Sequence, residues 1–182
     1  MFDSENEPDL DSVWNWYEFQ TELINEGLRA VLRALPASAD LAHASHTRFS
    51  RFIGLTRDEV REAFDTQRSR LDLVAMFELL ATSEAILRIE CKARAAARKK
   101  DGLSRRCRKI QRERQDKIRL DEDILAAMEQ EGIYVAAFRG TFKLRHWLAH
   151  GRYWSPKLGR GYTPQVVFDI SKALILSIPR SN

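Results

Sequence analysis

The side chains best suited to chemistry in this 182-residue chain fall in one run, Leu144-Arg145-His146-Trp147-Leu148-Ala149-His150-Gly151-Arg152-Tyr153. Arg145 brings a permanent charge and a rigid fork of donors. His150, five residues on, brings an imidazole that titrates near neutral pH. A guanidinium that holds phosphoryl oxygens and a ring that moves protons together suit a phosphodiester. At 3.6 residues per turn the two positions are roughly 140° apart on a helix, so one straight helix does not aim both at the same atom. Either the helix loosens ahead of Gly151, or a second copy of the chain supplies the facing histidine across a two-fold interface.

His146 and His150 stand one turn apart, the spacing of two zinc ligands on a helix. No acidic residue lies between them, no cysteine or carboxylate follows at a ligand spacing, and Arg145 and Arg152 repel a cation, so metal is the weaker reading. A packed histidine pair is the other. Trp147, Tyr153 and Trp154 suit either base stacking or packing of the helix end. Glu84 is the second informative residue, because it sits in an apolar stripe of Phe77, Leu80, Leu87 and Cys91 at helical spacing. A carboxylate there implies either a face open to a cleft or a cation that meets it. Arg88 one turn later offers a surface pair, and Arg145 offers a longer-range one. Gly-x-Ser-x-Gly, phosphate-loop and dinucleotide fingerprints are missing from the sequence, and neither a metal nor a cofactor is expected.

The elements that must carry these residues read as helices throughout. Eight glycines and five prolines separate long stretches of helical spacing with almost no alternation, which predicts an all-α fold. A first helix is expected from Asp11 to Leu35, before Pro36, followed by a connection over 36–55. Thr56-Arg57-Asp58-Glu59 has the form of a capping box and predicts a second helix that reaches toward Lys100. Asp101-Gly102 breaks it, and 103–131 resumes as one helix ending at Gly132. The next helix carries Val135, Phe138, Phe142, Leu144 and Leu148 and stops near Gly151. After a loop over 152–163, Thr163-Pro164 supplies an N-cap and first helical residue for a last helix to Ile178. We expect a single domain over 1–182, with 1–55 as the N-terminal helix and connection and 56–178 as the core.

Charge is segregated along this frame. The first thirty residues hold eight acids against Arg29, whereas residues 88–119 hold fourteen Lys or Arg against four acids. This basic stretch forms a helical hairpin with an exposed tip, which suits either attraction of a polyanion or a solvated face. Cys91 and Cys107 lie within it at no metal or disulfide spacing and fit a reducing compartment. No apolar run approaches the ~20 residues that span a bilayer, and the acidic start is the reverse of a signal peptide, so a cytoplasmic protein without a membrane partner is expected.

Arg145-His146-Trp147-Leu148-Ala149-His150 resembles the motif of HEPN domains (higher eukaryotes and prokaryotes nucleotide-binding), in which Arg, a polar residue, three further residues and His close a late helix. Glu84-Ala85-Ile86-Leu87-Arg88 is similar to the Glu, three residues, Lys/Arg element that accompanies that motif in several HEPN ribonucleases. The resemblance spans about 56–178. It implies a compact HEPN-like helical bundle that dimerises with its motifs facing each other, with the long basic hairpin as an elaboration. It also implies a metal-independent endoribonuclease, commonly a bacterial toxin or an antiphage effector. Arg145 would then hold the scissile phosphate and His150 would transfer protons, with His146 and Glu84 orienting them. Arg88, Lys92, Arg105, Arg106, Arg152 and Tyr153 would contact RNA. HEPN toxins paired with a nucleotidyltransferase antitoxin often carry tyrosine two residues after the motif histidine. Here Arg152 holds that position and Tyr153 follows, so control by tyrosine modification is not expected, while an antitoxin protein docking on the basic arm remains a partner to consider. The alternative from a different class is a non-catalytic helical module that binds RNA or protein through that arm.

Overall fold

The structure, a computed structural model, describes residues 7–35, 50–97, 99–150 and 161–179, the side chain of Asp116 excepted. Every regular element among them is helical, as the sequence predicts. Helix α1 (Leu10–Ala34) starts at Asp9, whose carboxylate accepts the Asp11 and Ser12 backbone N–H groups, each at 3.1 Å. Helix α2 (Arg57–Ala96) starts at the capping box: the Thr56 N–H donates to Glu59 Oε2 at 2.7 Å and the Glu59 N–H to Thr56 Oγ1 at 3.3 Å. It stops at Ala96, short of the expected Lys100.

The residues sort into two compact units, one of residues 15–74 and one of residues 1–14 with 75–182, so both boundaries fall inside helices. In the first, Val31, Phe52 and Val60 are buried, and Leu28, Leu32, Ala63 and Phe64 pack on them. Phe52 comes from a short 3-10 turn (Ser50–Phe52) and stacks on Phe64. Tyr17 donates its hydroxyl to Asp72 at 2.9 Å.

The second unit contains the candidate site. Its core joins Leu79, Leu80 and Leu87 of α2 to Leu125, Val135, Leu144 and Val167. Each such side chain, removed from water, contributes about 1.5–3 kcal/mol. Helix α3 (Gly102–Arg114) is capped by Asp101, which accepts the Ser104 N–H at 2.9 Å. The Cys91 and Cys107 thiols meet between α2 and α3; their hydrogen bond holds the Cys91 pKa below its ordinary value and, with burial, pushes Cys107 up.

Two of the expected helices are broken. The stretch 103–131 is interrupted by a 3-10 turn (Gln115–Lys117) and a π-helical segment (Leu120–Leu125) before α4 (Ala126–Gln130). The break is made by Gln115 at φ +50° and by buried Asp123, which accepts the Arg119 N–H at 2.8 Å and Arg114 Nε at 3.2 Å. The expected end at Gly132 is present, at φ +80°. The following helix is divided into α5 (Ala136–Gly140) and α6 (Phe142–Ala149) by Thr141, whose N–H tightens onto Phe138 O at 2.9 Å while its hydroxyl donates to the same oxygen at 2.6 Å. Helix α7 (Pro164–Ser177) starts as predicted, with Thr163 accepting the Val166 N–H at 3.3 Å. Among the described residues no helix is long and apolar enough to cross a membrane.

Candidate functional site

On α2 the residues facing the core of this unit include Met76, Leu79, Leu80, Ser83, Leu87, Cys91 and Arg94. Phe77 and Glu84, seven residues apart, share a line along the edge of that stripe rather than its centre. Phe77 is therefore 40% exposed, a correction to its expected place in the packed stripe. The Glu84 side chain retains 15% exposure and meets two cations. Arg88 donates through Nε to Glu84 Oε1 at 2.9 Å, and its Nη1 reaches the Ile118 carbonyl at 2.9 Å. Arg145 Nη2 lies 2.5 Å from Glu84 Oε2. The two partners weighed from the sequence are thus held together, one on each carboxylate oxygen.

Arg145 stands in the first turn of α6, next to buried Leu144, and its N–H bonds Thr141 O at 2.9 Å. The guanidinium is pinned on one side only. The contact to Glu84 is a charge contact rather than an aligned hydrogen bond, and Arg145 Nε is buried without a hydrogen-bond partner among the described residues. The side chain as a whole is 36% exposed, which leaves donors for an incoming anion.

His146, next to Arg145, and His150, at the C-terminal end of α6, are exposed, with ring centroids 4.2 Å apart. The His150 N–H still bonds His146 O at 3.1 Å, and the backbone leaves helical geometry only at His150 itself, at φ −99° and ψ +25°. Of the two alternatives weighed from the sequence, a helix that loosens ahead of Gly151 or a second copy, the described residues show winding kept through Ala149 and lost at His150. Within one chain Arg145 is turned onto Glu84 and His150 onto His146. Gly151, Arg152, Tyr153 and Trp154 lie outside the described residues. Among those described, no group of three or more His, Cys, Asp or Glu side chains is placed to hold a metal ion.

The basic stretch divides by partner. Arg106 Nε is 2.6 Å from Glu131 Oε1, and its Nη1 is also bound by Gln130. Arg88 is engaged as described above. Lys92 and Arg105 are exposed and line one cleft between α2 and α3. The residue that sequence reasoning counted as part of an available positive field, and that the structure buries, is Arg94. Only 3% exposed, it meets Glu90 at 2.6 Å, Asp101 at 3.3 Å and the Pro179 carbonyl. The Glu90 and Arg94 spacing of four was its one visible signal.

No family model, no curated protein and no solved structure matches this chain.

Proposed function

We propose that the protein is a metal-independent endoribonuclease of the HEPN type, working as a homodimer and serving as a toxin or antiphage effector. The observation that carries this reading is the ion pair of Arg145 with Glu84, which presents a partly exposed guanidinium on the same short helix that ends in the exposed His146 and His150 rings. A guanidinium fixed by a carboxylate binds a phosphate with little further loss of side-chain freedom and stabilises charge that grows on its oxygens. Because α6 points its arginine and its terminal histidine apart, the reading includes a second copy whose α6 end faces the first.

The reaction follows from those groups. One His150 takes the proton of a ribose 2′-OH, whose oxygen attacks phosphorus. The bond from phosphorus to the 5′-oxygen breaks, and the partner's His150 returns a proton to that oxygen. The products carry a 2′,3′-cyclic phosphate and a 5′-hydroxyl, and all atoms come from the substrate.

The test is cleavage of cellular RNA by purified protein, with and without EDTA, together with mapping of the RNA ends. We expect cyclic phosphate ends, indifference to EDTA, and loss of cleavage in Arg145→Ala and in His150→Ala with the helical content unchanged. Cleavage that survives both substitutions, or that stops with EDTA, would overturn the reading. A non-catalytic binding module is the second reading, favoured by the exposed Lys92 and Arg105 in their cleft. It predicts salt-dependent RNA binding with no product and no effect of His150→Ala.

A further inference from the structure

The cations of residues 88–119 are not equivalent. Arg88, Arg94, Arg106, Arg114 and Arg119 each contact a carboxylate. These neutralise acids of their own unit and hold α2, α3 and the following turns together. A second set, Lys92, Arg105, Arg108, Lys109 and Arg112, lines an open cleft of about 670 Å³ with Ala95, Ala96 and Gln111. Lys92, Arg105 and Lys109 have no ion-pair partner among the described residues. Arg108 donates to the Lys99 carbonyl at 2.7 Å, and Arg112 has only Glu113, at the 4.0 Å limit of an ion pair. No described carboxylate lines the cleft.

Keeping like charges here has a cost. Arg105 with Lys109, and Arg108 with Arg112, are pairs four apart on one helix, and each repels by about 0.2–0.5 kcal/mol. No described carboxylate lines the cleft to offset this, whereas an anion from outside would. Four of the five cations form a single stripe on α3, with steps of about 5 Å per turn, while Lys92 faces them from α2 across the small Ala95 and Ala96 side chains. A row of charges with a low floor suits a chain of anions better than one compact ion. The lining contains no aromatic side chain, so it has no platform for bases.

We infer that this cleft is a docking groove for the phosphate backbone of RNA, distinct from the Glu84 and Arg145 site, which binds without reading base identity. The choice of RNA among polyanions rests on the ribonuclease reading; the location and charge of the groove do not. Several contacts of this kind give affinity that falls steeply with salt, through release of condensed counterions.

The test uses the full chain carrying His150→Ala, so that bound RNA stays uncut, and follows the fluorescence anisotropy of 5′-labelled oligouridylate and oligoadenylate of equal length across a salt series. We expect the two probes to bind alike. Arg105→Gln with Lys109→Gln weakens both by about tenfold or more and lowers the salt slope by about 1.4, as for two lost phosphate contacts on a single strand. Arg114→Gln with Arg119→Gln removes the same charge from the neutralised set and changes affinity by less than about twofold. Circular dichroism checks that each variant folds. Equal weakening by the two double substitutions, or no binding, overturns the groove; tighter binding of a polyglutamate peptide than of RNA replaces it with a surface for an acidic protein. RNA that binds here but is not cut by the unsubstituted protein leaves the groove standing and removes the ribonuclease reading. Cutting with binding insensitive to Arg105 and Lys109 does the reverse.

Discussion

Glu84 holds Arg145 from across the helical unit: Oε2 of the carboxylate lies 2.5 Å from Nη2 of the guanidinium, while Oε1 is taken by Arg88. One half-buried carboxylate thereby fixes two arginines from different helices. If Arg145 binds the scissile phosphate, Glu84 is a positioning residue.

Glu84→Gln keeps an acceptor for Arg88 but removes the charge that orients Arg145. We expect kcat for RNA cleavage to fall about 10- to 100-fold with KM changed by less than about threefold, a smaller loss than Arg145→Ala. Folding stability should fall by about 1–2 kcal/mol, measured in urea, because Arg145 loses its counter-charge. A KM that rises with kcat unchanged would instead mark a binding role.

His146→Ala removes the ring 4.2 Å from His150 without touching the backbone bond that shapes the end of α6. Cleavage should drop by about tenfold, against about a hundredfold or more for His150→Ala, since a general acid or base contributes about 10²–10⁴. Equal losses in steady-state assays would make the two histidines joint participants in proton transfer.

Asp9 gives a pH signature at the start of α1. The Ser12 hydroxyl, at 2.8 Å, and the Asp11 and Ser12 N–H groups hold its carboxyl below the ordinary range, with Lys172 adding to the effect. A depressed folded pKa means that the cap is fully stabilising above the ordinary carboxylate pKa and fades as pH falls through the lower, folded value. Asp9→Ala should therefore cost about 1 kcal/mol at neutral pH. The difference from the unsubstituted protein should shrink in acid, in thermal melts run as a pH series. A difference that stays constant into strong acid would mean that the charge of the cap plays no part.

Gln115 sits at φ +50° and ψ −115°, a backbone region that favours glycine. Gln115→Gly should leave stability unchanged or raise it by up to about 1 kcal/mol, because relief of strain outweighs the freedom gained by the unfolded chain. Gln115→Ala should not. Urea unfolding of the two variants distinguishes them, and a destabilised Gln115→Gly would show that the left-handed turn is held without strain.

The ends of the helices were legible because they are local chemistry. Asp101, Thr56 with Glu59, Thr163-Pro164 and Gly132 each satisfy or release backbone groups within a few residues, so their types alone announce the boundary. The break at Thr141 follows Gly140, whereas the one at Gln115 carries no such sign. A run without glycine or proline predicts a continuous helix, and it is opened by Asp123 drawing the Arg119 N–H and Arg114 onto one buried carboxylate.

The same division holds for the site. Residue type and spacing by themselves determined an all-helical chain, set Arg88 one turn from Glu84 as one of two candidate partners, and put Arg145 and His150 roughly 140° apart on a helix, since such spacings depend only on its pitch. Only the tertiary structure decided that Arg145 joins Glu84, that Arg94 is buried, and that Lys92 and Arg105 remain open while Arg106 does not. Net charge counts cations, but whether a cation faces a carboxylate depends on which helices lie beside it, and that is set by long-range packing rather than by neighbours in sequence.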